Sequence, residues 1–199
     1  MSRARLVASL GFCVLAPQAR AHSPLPGIEG FYSGLLHPFV SSDQVLVILA
    51  IGLLFSSFPM HKLRHPFAAL GLGLLAGLVL GMPRASPAPW LFGLAVVCAT
   101  TAALAPGRGL PFAIAFGLGA GALLGWASLP EAGPLRDRLF TMSGAVVGAG
   151  LGTFYLTGAL EMLRERWNAP WCTIGARIVG TWLSAIALLM LSLHLAQDI

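Results

Sequence analysis

His37, Asp43 and Gln44 stand at the head of an apolar run, in the segment His37-Pro38-Phe39-Val40-Ser41-Ser42-Asp43-Gln44. An imidazole nitrogen, a carboxylate and an amide oxygen are a donor set for a divalent cation. If a helix starts at Pro38, His37 and Gln44 share one face and Asp43 lies about one residue's rotation away. An ionisable residue at membrane depth is a functional candidate by default. The same residues admit a structural reading. Ser41-Ser42-Asp43-Gln44 fits a capping box, with Ser41 capping and Gln44 reaching back, and the helix dipole favours Asp43 in a first turn. The residues alone leave both readings open.

His22 is a further candidate, through the leader that precedes it. Residues 1–21 read as a secretory signal peptide: Arg3 and Arg5 are basic, Leu6 to Ala16 is apolar and too short to span, and Ala19-Arg20-Ala21 is a small-x-small cleavage site. Cleavage after Ala21 leaves His22 as the new amino terminus on the outer face. A free α-amino group beside its own imidazole is a two-nitrogen chelate suited to Ni²⁺, Cu²⁺ or Zn²⁺. The plainer reading is that His22 simply follows the cut.

The remaining polar groups are less telling. His61 and His65 lie in one loop, where they could receive a cation or stay solvated. His194 packs or snorkels at the end of the last span. Glu29, Glu131 and Asp137 are surface carboxylates. Glu161 and Arg164 are spaced for an ion pair on one helix, and Arg177 should face the bundle or snorkel. Cys98 and Cys172 read as isolated small hydrophobes rather than a disulfide or metal pair. No nucleophile–base pair, phosphate loop or HExxH-like motif occurs, so no catalytic residue, enzyme activity or resident cofactor is expected.

The elements that must hold these groups are membrane helices. The chain has 199 residues, of which 57% are hydrophobic and 10% charged, with a mean hydropathy of +0.83. Soluble domains carry about 25% charged residues. Without the three leader arginines, nine basic residues face seven acidic ones, spread over short loops with no basic patch, which argues against nucleic acid as a partner. Glycine recurs every four residues at Gly73, Gly77 and Gly81, at Gly117, Gly121 and Gly125, and at Gly144, Gly148 and Gly152. In water such helices are weak, whereas in lipid the bare groove lets backbones approach closely.

The expected fold is therefore all-α: a polytopic membrane protein of six transmembrane helices in a compact glycine-packed bundle after a cleaved signal peptide. Residues 22–199 form one domain. The spans are placed at about Ser41 to Phe58, Pro66 to Met82, Ala88 to Ala105, Leu110 to Leu129, Leu139 to Leu163 and Ile174 to Ala196. Gly27 to Leu36 reads as an interfacial lead-in, too short and glycine-rich to span. Lys62, Arg64, Arg108, Arg164 and Arg166 fall in the inner loops, against Arg84, Arg136 and Arg138 outside, so both mature termini are expected on the periplasmic side of a bacterial inner membrane. Trp90, Trp126, Trp167 and Trp171 fall near span ends, and Trp182 lies deeper, where packing is its default reading. Glycine ladders on the second and fifth spans suit an inverted repeat, a correspondence that the ladder on the fourth span spoils.

The Ala-His cleavage site, the segment GFYSGLLHPFVSSDQVLVILAIGLL and the final run RIVGTWLSAIALLML resemble the HupE/UreJ family of hydrogenase and urease accessory membrane proteins. The family's motif is His, five residues, then Asp-His, and His37 and Asp43 match it; Gln44 stands where the second histidine would be. The family's Phe-His-Gly signature has no counterpart, since Phe116 to Leu124 carries glycines there. The resemblance implies six mature spans and nickel or cobalt permease activity, with His37 and Asp43 as metal ligands. Together these readings predict uptake or delivery of a transition metal, nickel first and Co²⁺ or Cu²⁺ after it, with His22 capturing the ion and His37, Asp43 and Gln44 passing it inward. The alternative is a non-transporting membrane subunit or assembly factor of a larger respiratory or metalloenzyme complex. The expected partners are the bilayer, a divalent metal ion, and other membrane proteins or a second copy.

Overall fold

The computed structural model describes residues 30–81, 86–130, 134–167 and 169–197. The leader, His22, Glu29, Arg84 and Glu131 lie outside the described residues. Among the described residues the structure is all-helical: α1 (Phe31–Val40), α2 (Ser42–Ser56), a short 3₁₀ turn (Met60–Lys62), α3 (Arg64–Leu80), α4 (Ala88–Leu104), α5 (Leu110–Ala127), α6 (Leu135–Trp167) and α7 (Pro170–Gln197). Helices α5, α6 and α7 are long and apolar enough to cross a bilayer; α1 and α2 together would add a fourth crossing as one broken span. Helices α3 and α4 are apolar but have 17 residues each, about 25 Å at 1.5 Å per residue.

Proline and glycine set the boundaries. Pro89 and Pro111 sit in the first turns of α4 and α5, where the missing N–H would have had no intrahelical partner. Gly109, at φ 71°, supplies the left-handed residue that opens α5. Helix α2 is central, with eleven of its fifteen residues buried. Helix α7 is peripheral: among its described residues only Gly180 and Ala187 are buried.

The glycine ladders form two close helix pairs. A methyl group added at Gly73 or Gly77 on α3 would collide with the backbone of α5 at Leu118 and Ala122; one at Gly121 or Gly125 on α5 would collide with Leu70 and Leu74 of α3. The third ladder seats α1. Methyls at Gly144 and Gly148 of α6 would strike the carbonyls of Phe31 and Leu35, and one at Gly34 would strike Thr141. The Gly27–Leu36 lead-in is thus helical from Phe31 and locked against α6 by backbone contact. The match between the second and fifth spans has a local cause: their ladders serve different partners, α5 and α1.

Trp182 is 66% exposed, which corrects its assignment to internal packing. At the basic end of the bundle, hydrogen bonds tie the connections together. Gly107 N donates to Ser57 Oγ at 2.9 Å, and Arg177 Nε donates to Ala103 O at 2.7 Å, capping the end of α4. Arg177, itself exposed, thus reaches across to the end of α4.

Candidate functional site

The candidate site is a break in a helix. Helices α1 and α2 meet at Ser41 with a bend of 76°. Pro38 lies within α1 and removes an N–H from its ladder. Ser41 then turns extended, at φ −84° and ψ 117°, while its N–H still bonds the carbonyl of His37 at 3.2 Å. The last turn of α1, carrying His37, abuts the first turn of α2, carrying Asp43. Gly152 of α6 lies under this joint, because an added methyl would meet the Phe39 ring of α1 and the Ile48 side chain of α2.

This geometry corrects two expectations. The helix does not start at Pro38, so His37 and Gln44 do not share a helix face; they stand on segments bent apart by 76°. The capping box is also absent. Ser41 is the N-cap of α2 but makes no side-chain capping bond. Gln44 is instead buried at 2% exposure, and its Oε1 has no hydrogen-bond partner among the described residues. The inward pull of the apolar face of α2 outcompetes the reach back to the cap. Burying an amide oxygen unpartnered costs about 1–3 kcal/mol.

Exposure falls along the segment: His37 is exposed, Asp43 half-buried and Gln44 buried. Among the described residues no three His, Cys, Asp or Glu side chains gather as a metal-ligand group.

A buried stripe, polar from Thr153 onward, runs along α6. Ala149, Thr153, Thr157 and Glu161 recur every four residues, and all are buried. Thr153 donates its hydroxyl to Ala149 O at 2.9 Å, and Thr157 donates to Thr153 O at 2.7 Å, with Gly52 O of α2 at 3.4 Å. At the far end Glu161 Oε1 accepts the N–H of Met60 at 3.0 Å. Arg164 Nη2 stands 4.0 Å from the same oxygen, so the expected pair forms, but loosely. Sequence reasoning missed the burial of Glu161 and of the two threonines. The four-residue recurrence of Thr153, Thr157 and Glu161 was the available signal.

The other candidates lie apart from the joint. His61 and His65 are exposed, on and beside the turn that Glu161 anchors. The His194 ring packs against Phe92, centroids 6.4 Å apart. Cys98 is buried, Cys172 half-buried, and both are free thiols. A cavity of about 310 Å³ opens between α2, α4, α6 and α7, lined chiefly by apolar side chains with Arg164 and Arg177.

A family model described as HupE / UreJ protein matches residues 10–190. No curated protein and no solved structure is significantly similar to the chain.

Proposed function

The chain belongs to the HupE/UreJ family, and from that premise we propose that it takes part in transition-metal uptake or delivery for metalloenzyme maturation, with nickel as the first candidate cargo. The family is associated with nickel and cobalt uptake for hydrogenase and urease maturation. The observation that carries the reading is the break between α1 and α2. Interrupted helices within a bundle are where membrane transporters bind their cargo. Here the interruption has an imidazole on one side and a carboxylate on the other. The fall in exposure from His37 through Asp43 to Gln44 supports a path from surface to interior.

In this reading the mature chain crosses a bacterial inner membrane six times, with both ends on the periplasmic side. The amino-terminal His22 captures the ion, and His37, Asp43 and Gln44 draw it into the bundle. The bare oxygen of Gln44 supports the role, because a cation would satisfy it. An amide oxygen is a harder donor than the imidazole of the family motif, so Gln44 relaxes the preference for nickel over cations that accept oxygen. The Asp43 carboxylate, at the head of α2, supplies the compensating charge.

Cellular accumulation of nickel and cobalt tests this. A His37→Ala, Asp43→Ala double variant is expected to fall to the level of cells lacking the protein. Equal accumulation by the variant and the wild type would remove the transport reading. It would favour the second reading, a non-transporting membrane subunit or assembly factor, which the lack of a three-ligand group among the described residues supports. That protein would co-purify with a fixed partner, and without metal.

A further inference from the structure

The geometry points to Glu161 as a second cation-binding site, at the basic end of the bundle, where the cation passes from the α2–α6 interface to the turn bearing His61 and the start of α3 bearing His65. This rests on the transport reading above but on different residues. Glu161 is 4% exposed. Its Oε1 holds the N–H of Met60, while Oε2 is buried with no hydrogen-bond partner among the described residues. A carboxylate taken out of water needs its charge compensated. Arg164 is a poor compensator at 4.0 Å, beyond hydrogen-bonding distance, with its side chain 40% exposed.

Anchoring the Met60 turn does not explain the charge. One neutral acceptor suffices for that hydrogen bond, and a glutamine would provide it. What needs a carboxylate there is a positive ligand. Thr157 lies one turn before Glu161 on the same buried stripe, and its oxygen, donating towards Thr153 and Gly52, retains lone pairs. A carboxylate oxygen with a hydroxyl oxygen is a hard donor pair, which suits a divalent cation that keeps part of its water and holds nickel only loosely.

The surroundings suit release rather than storage. Arg164 lines two adjoining cavities and so has room to swing aside as the cation arrives and back as it leaves. Lys62, Arg64 and Arg166, all exposed at this end, raise the local potential and weaken retention. His61 follows Met60 directly, so an imidazole on the anchored turn is the next acceptor. A transit site must bind well enough to be entered and loosely enough to be left.

The test compares wild type, Glu161→Gln, Arg164→Gln and the His37→Ala, Asp43→Ala variant for cellular nickel accumulation and for nickel binding to the purified protein. Glu161→Gln keeps the acceptor for Met60 N–H and removes the charge. It is expected to weaken ion binding at this site at least about thirtyfold, as loss of a buried charge contact does, and so to bind one ion fewer and accumulate less nickel. Arg164→Gln removes the competing guanidinium and is expected to bind nickel more tightly. Accumulation and binding by Glu161→Gln indistinguishable from wild type would overturn the proposal. Should that variant fail to fold, unchanged binding by Arg164→Gln would overturn it instead. Loss of uptake in the His37→Ala, Asp43→Ala variant beside normal uptake in Glu161→Gln rejects this site alone. If wild type shows no uptake, the transport reading fails, and ion binding by the purified variants still decides the role of Glu161.

Discussion

Replacing Gly121 with alanine should force α3 and α5 apart. The new methyl carbon would collide with the Leu70 carbonyl and stand 2.7 Å from Leu74 N and 3.0 Å from Gly73 Cα. Non-bonded heavy atoms rest about 3.5–4.0 Å apart, so α3 must retreat by roughly 0.8 Å for the Leu74 nitrogen alone. The three nearest atoms are all backbone, so no side-chain rotation moves them away. A gap of about 0.5–1 Å forfeits a quarter to a half of each dispersion well it opens, and here it opens the neighbouring Gly77–Gly125 contact too. Overpacking of this kind costs about 1–3 kcal/mol, and alanine returns up to about 1 kcal/mol of helix propensity. The net expectation is a loss of about 1–2 kcal/mol. Gly71→Ala is the internal control, on the same α3, because its methyl would meet nothing within 4 Å. That variant should be neutral or stabilised by up to about 1 kcal/mol. Equilibrium unfolding in mixed micelles with graded denaturing detergent measures both. If Gly121→Ala proves as stable as Gly71→Ala, the close α3–α5 pairing is wrong, and with it the account of the glycine ladders.

Four further outcomes follow from the same geometry. Gln44→His restores an imidazole at the joint and should raise nickel uptake relative to cobalt in cells given both metals; Gln44→Leu should lose uptake yet gain about 1 kcal/mol of stability by removing the unpartnered oxygen. Arg177→Met strips the hydrogen bond from Ala103 O and should cost about 1–2 kcal/mol in the micelle titration. A membrane-permeant maleimide should label Cys172 and spare the buried Cys98 until the protein is denatured, as read by mass spectrometry of intact protein.

The helices from α3 onward were legible because their apolar runs are long and end at Pro or Gly, which act locally. The α3, α4 and α5 boundaries fall within about two residues of the expected ones. Helix α1 was hidden for the opposite reason. Gly34 and Pro38 speak against a helix, and the partner that stabilises it, the Gly144–Gly148 face of α6, lies over a hundred residues away in sequence. The site shows the same divide. His37 and Asp43 stood out by type and spacing, whereas the fate of Gln44 depended on a contest between capping and burial that local pattern cannot weigh. Glu161 looked like half of a surface ion pair, because its contact with Met60 joins residues 101 apart.

Helix α6 is 33 residues long, and its run from Leu139 to Leu160 carries no charge; at 1.5 Å per residue that stretch is about 33 Å tall. Helices α3 and α4 offer about 25 Å. If α3 and α4 also cross, no sheet of lipid of uniform thickness matches both helix lengths: the bilayer thins beside the short helices or α6 leans, each at a fraction of a kcal/mol per Å. Acyl-chain length in the host membrane thus becomes a variable of the protein's own energetics, acting most directly on the helix that cradles the bent segment.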